Sequence, residues 1–335
     1  MPTAMSVHGV TAIFLACFSA GAMAQSAAAN AGQGYPNKSI RWISPFAAGG
    51  GTDLTTRLVA QRIAEVVGQS IVIDNRIGAS GNIGTEIAAR APADGYTLVT
   101  ITASHPLSQA MSERLPFDLL RDFVHVAQMT TQPYILLVHP SINAHSVKEL
   151  VALARAAPRT LHYGTAGVGT LQHVGGIMLA QMTGTELMHV PYKGGAPALV
   201  DLLGGRLQFF FGVPVSTIPL IKAGKLRSIA VTSLKRSTVL PELPTIAETG
   251  LAGYSVDNWY GIGAPAKTPR DVVARLNSAA VRALQVPELR ERLRIVVVFG
   301  QIQSRLASVI LHIRVCAFFQ QQFDRAWGRI PRCHH

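Results

Sequence analysis

The stretch Ile40–Arg57, IRWISPFAAGGGTDLTTR, constrains the fold more than any other part of the chain. An apolar run, Ile40, Trp42 and Ile43, reads as a short buried strand; Pro45 ends its pairing, and three consecutive glycines lead straight into a helix through Leu54, Leu58, Val59 and Ile63. Removing every Cβ from such a turn leaves backbone N–H groups open to a ligand. The positive end of the helix dipole points into the same place, so the device suits a carboxylate or phosphate. It also occurs as a plain connection in α/β proteins. The turn lacks the Lys-Ser/Thr of a P-loop, and its glycines are not spaced as in a dinucleotide fingerprint, so nucleotide binding is disfavoured.

The device recurs. Ser70–Asp74 (SIVID) predicts a second strand, followed by the small-residue turn GASGN at 78–82 and a helix through Glu86 and Ala89. Tyr96–Thr102 predicts a third strand, whose carboxyl end, with Thr102 and Ser104, falls beside the first two turns in a parallel sheet. A second unit starts near Tyr134. It comprises the strand Tyr134–Val138, a helix from Ser146 to Ala156 opened by a Ser146…Glu149 capping box, the strand Leu161–Gly164, and a helix opening at TAGVGT, Thr165–Thr170. Strands at Met188–Val190, Gln208–Phe211 and Leu226–Val231 follow, with helices between them and an amphipathic helix at Val272–Leu284. Residues 240–254 read as an extended, Pro-containing crossover.

Length and composition fit two packed domains. The chain has 335 residues, of which 48% are hydrophobic and 14% charged. Its formal charge of +12 is uneven, because residues 292–335 hold seven Arg against the single acid Asp324, half of the excess. No basic run interleaved with aromatics occurs elsewhere, which speaks against a nucleic-acid partner. Val10–Ala20 followed by Ala22-Met23-Ala24 fits a secretory signal cleaved before Gln25, although Met1–Gly9 lacks Lys and Arg, and residues 25–34 read as a tether. Cys17 lies in that signal, and Cys316 and Cys333 lie in the tail, so no disulfide framework is indicated.

Six blocks in order, PFAAGGGTDLTTR (45–57), VIDNRIGASGNIGTEIAARAPADGYTL (72–98), YGTAGVGTLQHVGG (163–176), VPYKGGAPALVDLLGGRLQ (190–208), LPTIAETGL (243–251) and WYGIGAPAKTPRDVVARLN (259–277), carry a specific resemblance. Over about residues 35–293 the chain resembles the periplasmic solute receptors of tripartite tricarboxylate transporters, the Bug family. The resemblance implies an α/β, two-lobed periplasmic binding protein of the type II, Venus-flytrap kind, with a ligand cleft between lobes and no catalytic activity, cofactor or metal. Its ligand class would be a small carboxylate: a di- or tricarboxylate, an amino acid or an aromatic acid. On this reading residues 35–129 plus 255–293 form lobe 1 and residues 130–254 lobe 2. The resemblance further implies a periplasmic location, a monomer, and membrane subunits of a tripartite tricarboxylate system as partners beside the small carboxylate ligand.

Carried over by position, the resemblance implies that Ala48, Gly49, Gly50 and Asp53 in one lobe and Thr165, Gly167 and Thr170 in the other hold the ligand, through backbone amides and ordered water. The residues themselves add Phe46, Ser80, Gly81, Asn82, Thr102, Ser104, Tyr192 and Lys193 as candidate contacts. Asp53 has two readings, since an acid in an anion cradle repels the ligand: it braces the turn as a helix cap, or it meets an amino or hydroxyl group. A hydrolase or other enzyme in the same cleft is the alternative function. It lacks support in motif terms, because Gly78-Ala79-Ser80-Gly81 falls short of a G-x-S-x-G elbow and the histidines lack HExxH spacing. Past Leu293 the chain departs from the family pattern in charge, cysteine content and periodicity, as expected of a frameshift near Arg294; a divergent helix around Ser304–Phe319 is the other reading.

Overall fold

The computed structural model describes residues 34–112 and 114–293. The expected signal, the tether up to residue 33 and the atypical tail lie outside these residues.

Two five-stranded sheets organise the chain. The first has the order β2-β1-β3-β10-β4, from β1 (Ile40–Ser44), β2 (Ile71–Asn75), β3 (Thr97–Thr102), β4 (Phe123–Pro133) and β10 (Asp257–Pro265). Its helices are α1 (Gly51–Val67), α2 (Asn82–Ala89), α3 (Ser104–Met111), α8 (Arg270–Leu284) and α9 (Pro287–Leu293). The second has the order β7-β6-β8-β5-β9, from β5 (Ile135–Val138), β6 (His162–Thr165), β7 (Met188–Pro191), β8 (Phe209–Gly212) and β9 (Arg227–Val231). It carries α4 (Val147–Ala156), α5 (Leu171–Thr183), α6 (Gly195–Leu203) and α7 (Pro214–Lys222). The molecule is two-lobed, one sheet to each lobe. In both, three parallel strands, β2-β1-β3 and β7-β6-β8, are joined by antiparallel ones. Parallel pairing places the strand-to-helix turns at one end of each sheet, where ligands of open α/β sheets gather.

Local chemistry accounts for the elements. β3 (TLVTIT), β5 (ILLV) and β8 (FFFG) are buried along their whole length and read as continuous apolar or β-branched runs, as central strands covered on both faces must. Helix α1 buries Thr55, Thr56, Val59, Ala60 and Ile63 and ends at Gly68, whose φ of 71° lets its N–H return to the Ala64 carbonyl. At α4 the expected capping box forms one residue wide of the ideal: Glu149 N–H donates to Ser146 Oγ, while the Glu149 carboxylate accepts from His145 N–H at 2.7 Å. In the first lobe, fully buried Trp42 donates through Nε1 to Thr100 Oγ1 at 3.0 Å, and Thr100 in turn meets Thr56 on α1 at 2.7 Å. That chain satisfies polar atoms that would otherwise be orphaned in the core.

The long pair β4–β10 belongs to the first sheet, and its ends run directly into the second. Register pairs Asn258 with Gln132 and Tyr260 with Thr130. Thr232 stitches the two crossings: its N–H donates to the Tyr134 carbonyl, its carbonyl accepts from Val256 N–H, and its hydroxyl accepts from Tyr134 N–H and donates to the Val256 carbonyl at 2.6 Å. None of the described helices is long and apolar enough to cross a membrane.

Candidate functional site

A pocket of about 400 Å³, counting its open mouth, lies where the two lobes meet. From the first lobe it is lined by Phe46, Gly50, Gly51, Thr52, Thr102 and Ser104; from the second by Ala166, Thr170, Gln172, Gly195 and Val213; and from the crossings by Tyr134, Asn258 and Tyr260. No charged side chain is among them.

The glycine turn supplies the free donors. Gly50 precedes α1 with extended backbone and no side-chain cap, so the first helical amides, Gly51 and Thr52, find no acceptor outside their own helix among the described residues. Both line the pocket. The Asp53 carboxylate is turned away from it: Oδ2 accepts from Gly49 N–H at 2.9 Å and from Arg57 Nε at 2.9 Å, and Oδ1 accepts from Asn75 Nδ2 at 2.8 Å. The side chain is buried and fully used as a brace of the turn, with Arg57 compensating its charge. Of its two sequence readings, this geometry matches the brace of the turn but not the helix cap, since the amide it takes is that of Gly49, outside α1.

The opposing turn is more self-contained than the sequence implied. Ala166 N–H donates to Gln172 Oε1, Gly167 N–H to Thr165 Oγ1, and Gly169 N–H to His173 Nδ1. Thr170 caps α5 by accepting from His173 N–H, and its hydroxyl donates to the Gly167 carbonyl at 2.8 Å. Even the Leu171 amide is taken, by Ser104 Oγ of the other lobe at 3.1 Å. Gln172, which no sequence motif singles out, holds this turn much as Asp53 holds the first, and its Nε2 donates to the Phe211 carbonyl.

Of the sequence-predicted residues, the structure brings Phe46, Gly50, Thr102, Ser104 and Thr170 to the pocket wall. The others stand elsewhere, for identifiable reasons. Ala48 and Gly49 are exposed, and the Gly49 N–H is taken by Asp53. Thr165 and Gly167 hold each other within their turn, with Thr165 Oγ1 also 2.7 Å from His189 Nε2. Gly81 packs beneath the Phe46 ring and His105; Asn82 Nδ2 donates to Ser108. Tyr192 donates its hydroxyl to Asp201 at 2.6 Å, and Lys193 is exposed. Ser80 reaches across the lobes and donates to the Val168 carbonyl at 2.5 Å, in a turn where Gly78, Ala79, Ser80 and Gly81 all have positive φ. Two of these, Ala79 and Ser80, are not glycine and so carry backbone strain, and the segment is used as a lobe-to-lobe contact.

Beneath Thr102 and Ser104 sits His105, completely buried. Thr102 N–H donates to its Nδ1 at 2.9 Å, so Nε2 carries the proton and faces Thr85 Oγ1 at 2.8 Å; Thr85 in turn donates to the Gly81 carbonyl at 3.0 Å. Burial holds the imidazole neutral and lowers its pKa to about 4. The ring thereby fixes the relative position of the second and third strand ends.

Glycines occupy the points of closest approach between lobes. A Cβ on Gly51 would fall 2.4 Å from the Val213 Cβ, one on Gly194 2.7 Å from the Ala47 nitrogen, and one on Gly167 2.5 Å from Ser80 Oγ. Ala47 N–H also donates to the Lys193 carbonyl at 3.3 Å. The lobes are therefore pressed together over the pocket at sites that tolerate no side chain.

The family profile described as "Tripartite tricarboxylate transporter family receptor" matches residues 55–300. Protein BugT of Bordetella pertussis is 34% identical over 253 residues, covering 75% of this chain and 78% of BugT. Among solved structures, an R. palustris protein with adipate superposes with a TM-score of 0.81 at 35% identity, covering 87% of this chain and 97% of that one. MatC from Rhodopseudomonas palustris with bound malate superposes with a TM-score of 0.79 at 28% identity, covering 86% and 99%.

Proposed function

We propose that this chain, which belongs to the tripartite tricarboxylate transporter receptor family, captures a small carboxylate in the pocket between its lobes. The observation that carries this reading is the pair of free amides, Gly51 and Thr52, at the positive end of α1, facing a pocket without charged side chains. A carboxylate entering such a site exchanges water for charge-assisted N–H bonds worth about 1.5 to 3 kcal/mol each, and the helix terminus adds at most about 2. Less the ordering costs, this supports micromolar affinity, about −8 kcal/mol. Relatives with adipate and malate support the same ligand class.

On this reading the ligand leaves unchanged: the Thr102 hydroxyl lies 3.1 Å from His105 Nδ1, but that nitrogen already accepts from the Thr102 N–H. Thr102, Ser104 and Thr170 position the ligand, Phe46 and Val213 form apolar walls, and Ser80, Lys193 and Gly194 act in closing the lobes. Residues 1–24 direct export to the periplasm, where the receptor serves as a monomer and hands its ligand to membrane subunits of the same transporter type. A thermal-shift screen of dicarboxylates, tricarboxylates, amino acids and aromatic acids tests the reading. A true ligand at a hundred times its Kd contributes about 2.7 kcal/mol and raises the midpoint by about 4 °C or more. No shift with any carboxylate, or recovery of a chemically altered ligand, contradicts it.

A further inference from the structure

We propose that the crossing strands carry a second ligand subsite, formed by Thr130, Gln132 and Asn258, that takes an uncharged hydrogen-bonding group, a hydroxyl or carboxamide, at the far end of the ligand. The subsite rests on the carboxylate reading above and defines what the rest of the ligand must be.

Polar atoms without partners define the subsite. Gln132 is 3% exposed, and neither its Nε2 nor its Oε1 has a hydrogen-bond partner; Asn258, 1% exposed, has the Tyr260 hydroxyl beside its amide, yet its Nδ2 completes no hydrogen bond, and Thr130, 1% exposed, leaves Oγ1 unpartnered. Buried polar side chains are bonded in the great majority of cases, so three on one patch call for an occupant. They share a face: register sets Gln132 opposite Asn258 and Thr130 opposite Tyr260, and side chains directly opposite on an antiparallel pair point to the same side. Asn258 and Tyr260 line the pocket, which identifies that side as the pocket side; Thr130 and Gln132 stand next to them on the same face, just outside its lining.

The donor and acceptor balance selects the ligand's far end. An apolar end leaves all four atoms unmet. A second carboxylate accepts from Gln132 Nε2, Asn258 Nδ2 and Thr130, but it sets a negative charge against Gln132 Oε1, and no cationic side chain lines the pocket to offset its desolvation. A hydroxyl or carboxamide donates and accepts, satisfying both ends of Gln132. Turning the Gln132 amide over changes nothing, because both of its ends lack partners. The β4–β10 pairing holds these groups in register, so the subsite discriminates by leaving a wrong ligand's neighbours unbonded, the strong form of polar selectivity.

Calorimetric titration of the full chain with matched acids of four and six carbons tests this: butanoate, 4-hydroxybutanoate, succinamate and succinate, then hexanoate, 6-hydroxyhexanoate, adipamate and adipate. At one chain length or both, the hydroxyl- or amide-ended acid is expected to bind about tenfold or more tighter than its apolar and diacid counterparts. Gln132→Met, which removes buried orphan atoms and so leaves the melting temperature equal or higher, brings that acid down to the level of the apolar one. Thr130→Val, nearly isosteric, weakens the hydroxyl-ended acid severalfold and keeps the test intact if Gln132→Met misfolds. A diacid that binds tightest at both lengths, or a preference unchanged in both variants, overturns the subsite. Failure of every probe to bind wild-type protein instead refutes the carboxylate reading, and the subsite falls with it.

Discussion

Gly194→Val is expected to weaken carboxylate binding by about 100-fold or more, equivalent to about 2.7 kcal/mol, while the unliganded protein stays folded. Gly194 has φ 138° and ψ 168°, a conformation that essentially only glycine adopts, and its missing Cβ would stand 2.7 Å from the Ala47 nitrogen and 2.9 Å from the Ala47 Cβ. The obstacle is the backbone of the opposite lobe, not a side chain that can swing aside. Relief requires the lobes to part, which breaks the Ala47 to Lys193 bond and draws the α1 amides away from the far wall of the pocket. Because the turn can relax once the lobes separate, the cost falls on the liganded state. Titration calorimetry with the best carboxylate from the screen measures the loss, and small-angle scattering should show a variant that no longer compacts on adding ligand. Wild-type affinity in Gly194→Val would show that contact of the lobes at this point is irrelevant to binding.

Acid should destabilise the fold well above the range in which most carboxylates titrate. His105 has a folded-state pKa near 4 against about 6.5 for the unfolded chain, so the unfolded state binds more protons between these values. A neutral, buried histidine thus contributes stability that is fully present above pH 6.5 and is lost as pH falls toward 4. Each tenfold difference in proton affinity between the two states is worth about 1.36 kcal/mol, so the lost contribution reaches about 3 kcal/mol. Burial also lowers the pKa of His125, His173 and His189, the last to about 4, and these add in the same direction. His173 and His189 stack with ring centroids 4.0 Å apart beside the second turn, so a charge on either ring acts against the other. Urea unfolding of wild type and His105→Gln at pH 7 and pH 4.5 separates the contributions. The variant's loss between the two values is expected to be smaller by about 2 to 3 kcal/mol. Equal losses would mean that the His105 environment does not favour the neutral ring.

Much of the frame was legible in the sequence because it is written in local chemistry. The strands at 40–44, 71–75 and 97–102, the Ser146 cap and the turns at 49–53 and 165–170 follow from apolar runs, β-branched residues and glycines, and the ordered motif blocks identified the family. The crossing strands β4 and β10 were not legible. FVHVAQMTTQP buries Thr130 and Gln132 among its apolar residues, and DNWYGIGAP holds two glycines and a proline, so neither alternates as an exposed strand does nor reads as a continuous apolar run. Their pairing spans more than a hundred residues of sequence. The same blindness hid Asn258, Tyr260 and Tyr134 from the site. For the turns, sequence located the amides but not which of them were already bonded: only the three-dimensional arrangement reveals that Gln172 and Ser104 occupy donors of the second turn while Gly51 and Thr52 remain open.

That asymmetry can be put to a single experiment, a crystal structure of the complex with the carboxylate that gives the largest thermal shift. A carboxylate oxygen is expected at about 3 Å from the Gly51 and Thr52 nitrogens, with the lobes in contact at Gly194 and Ala47. A carboxylate bound instead by a lysine or arginine side chain, or lodged away from the start of α1, would refute the amide cradle.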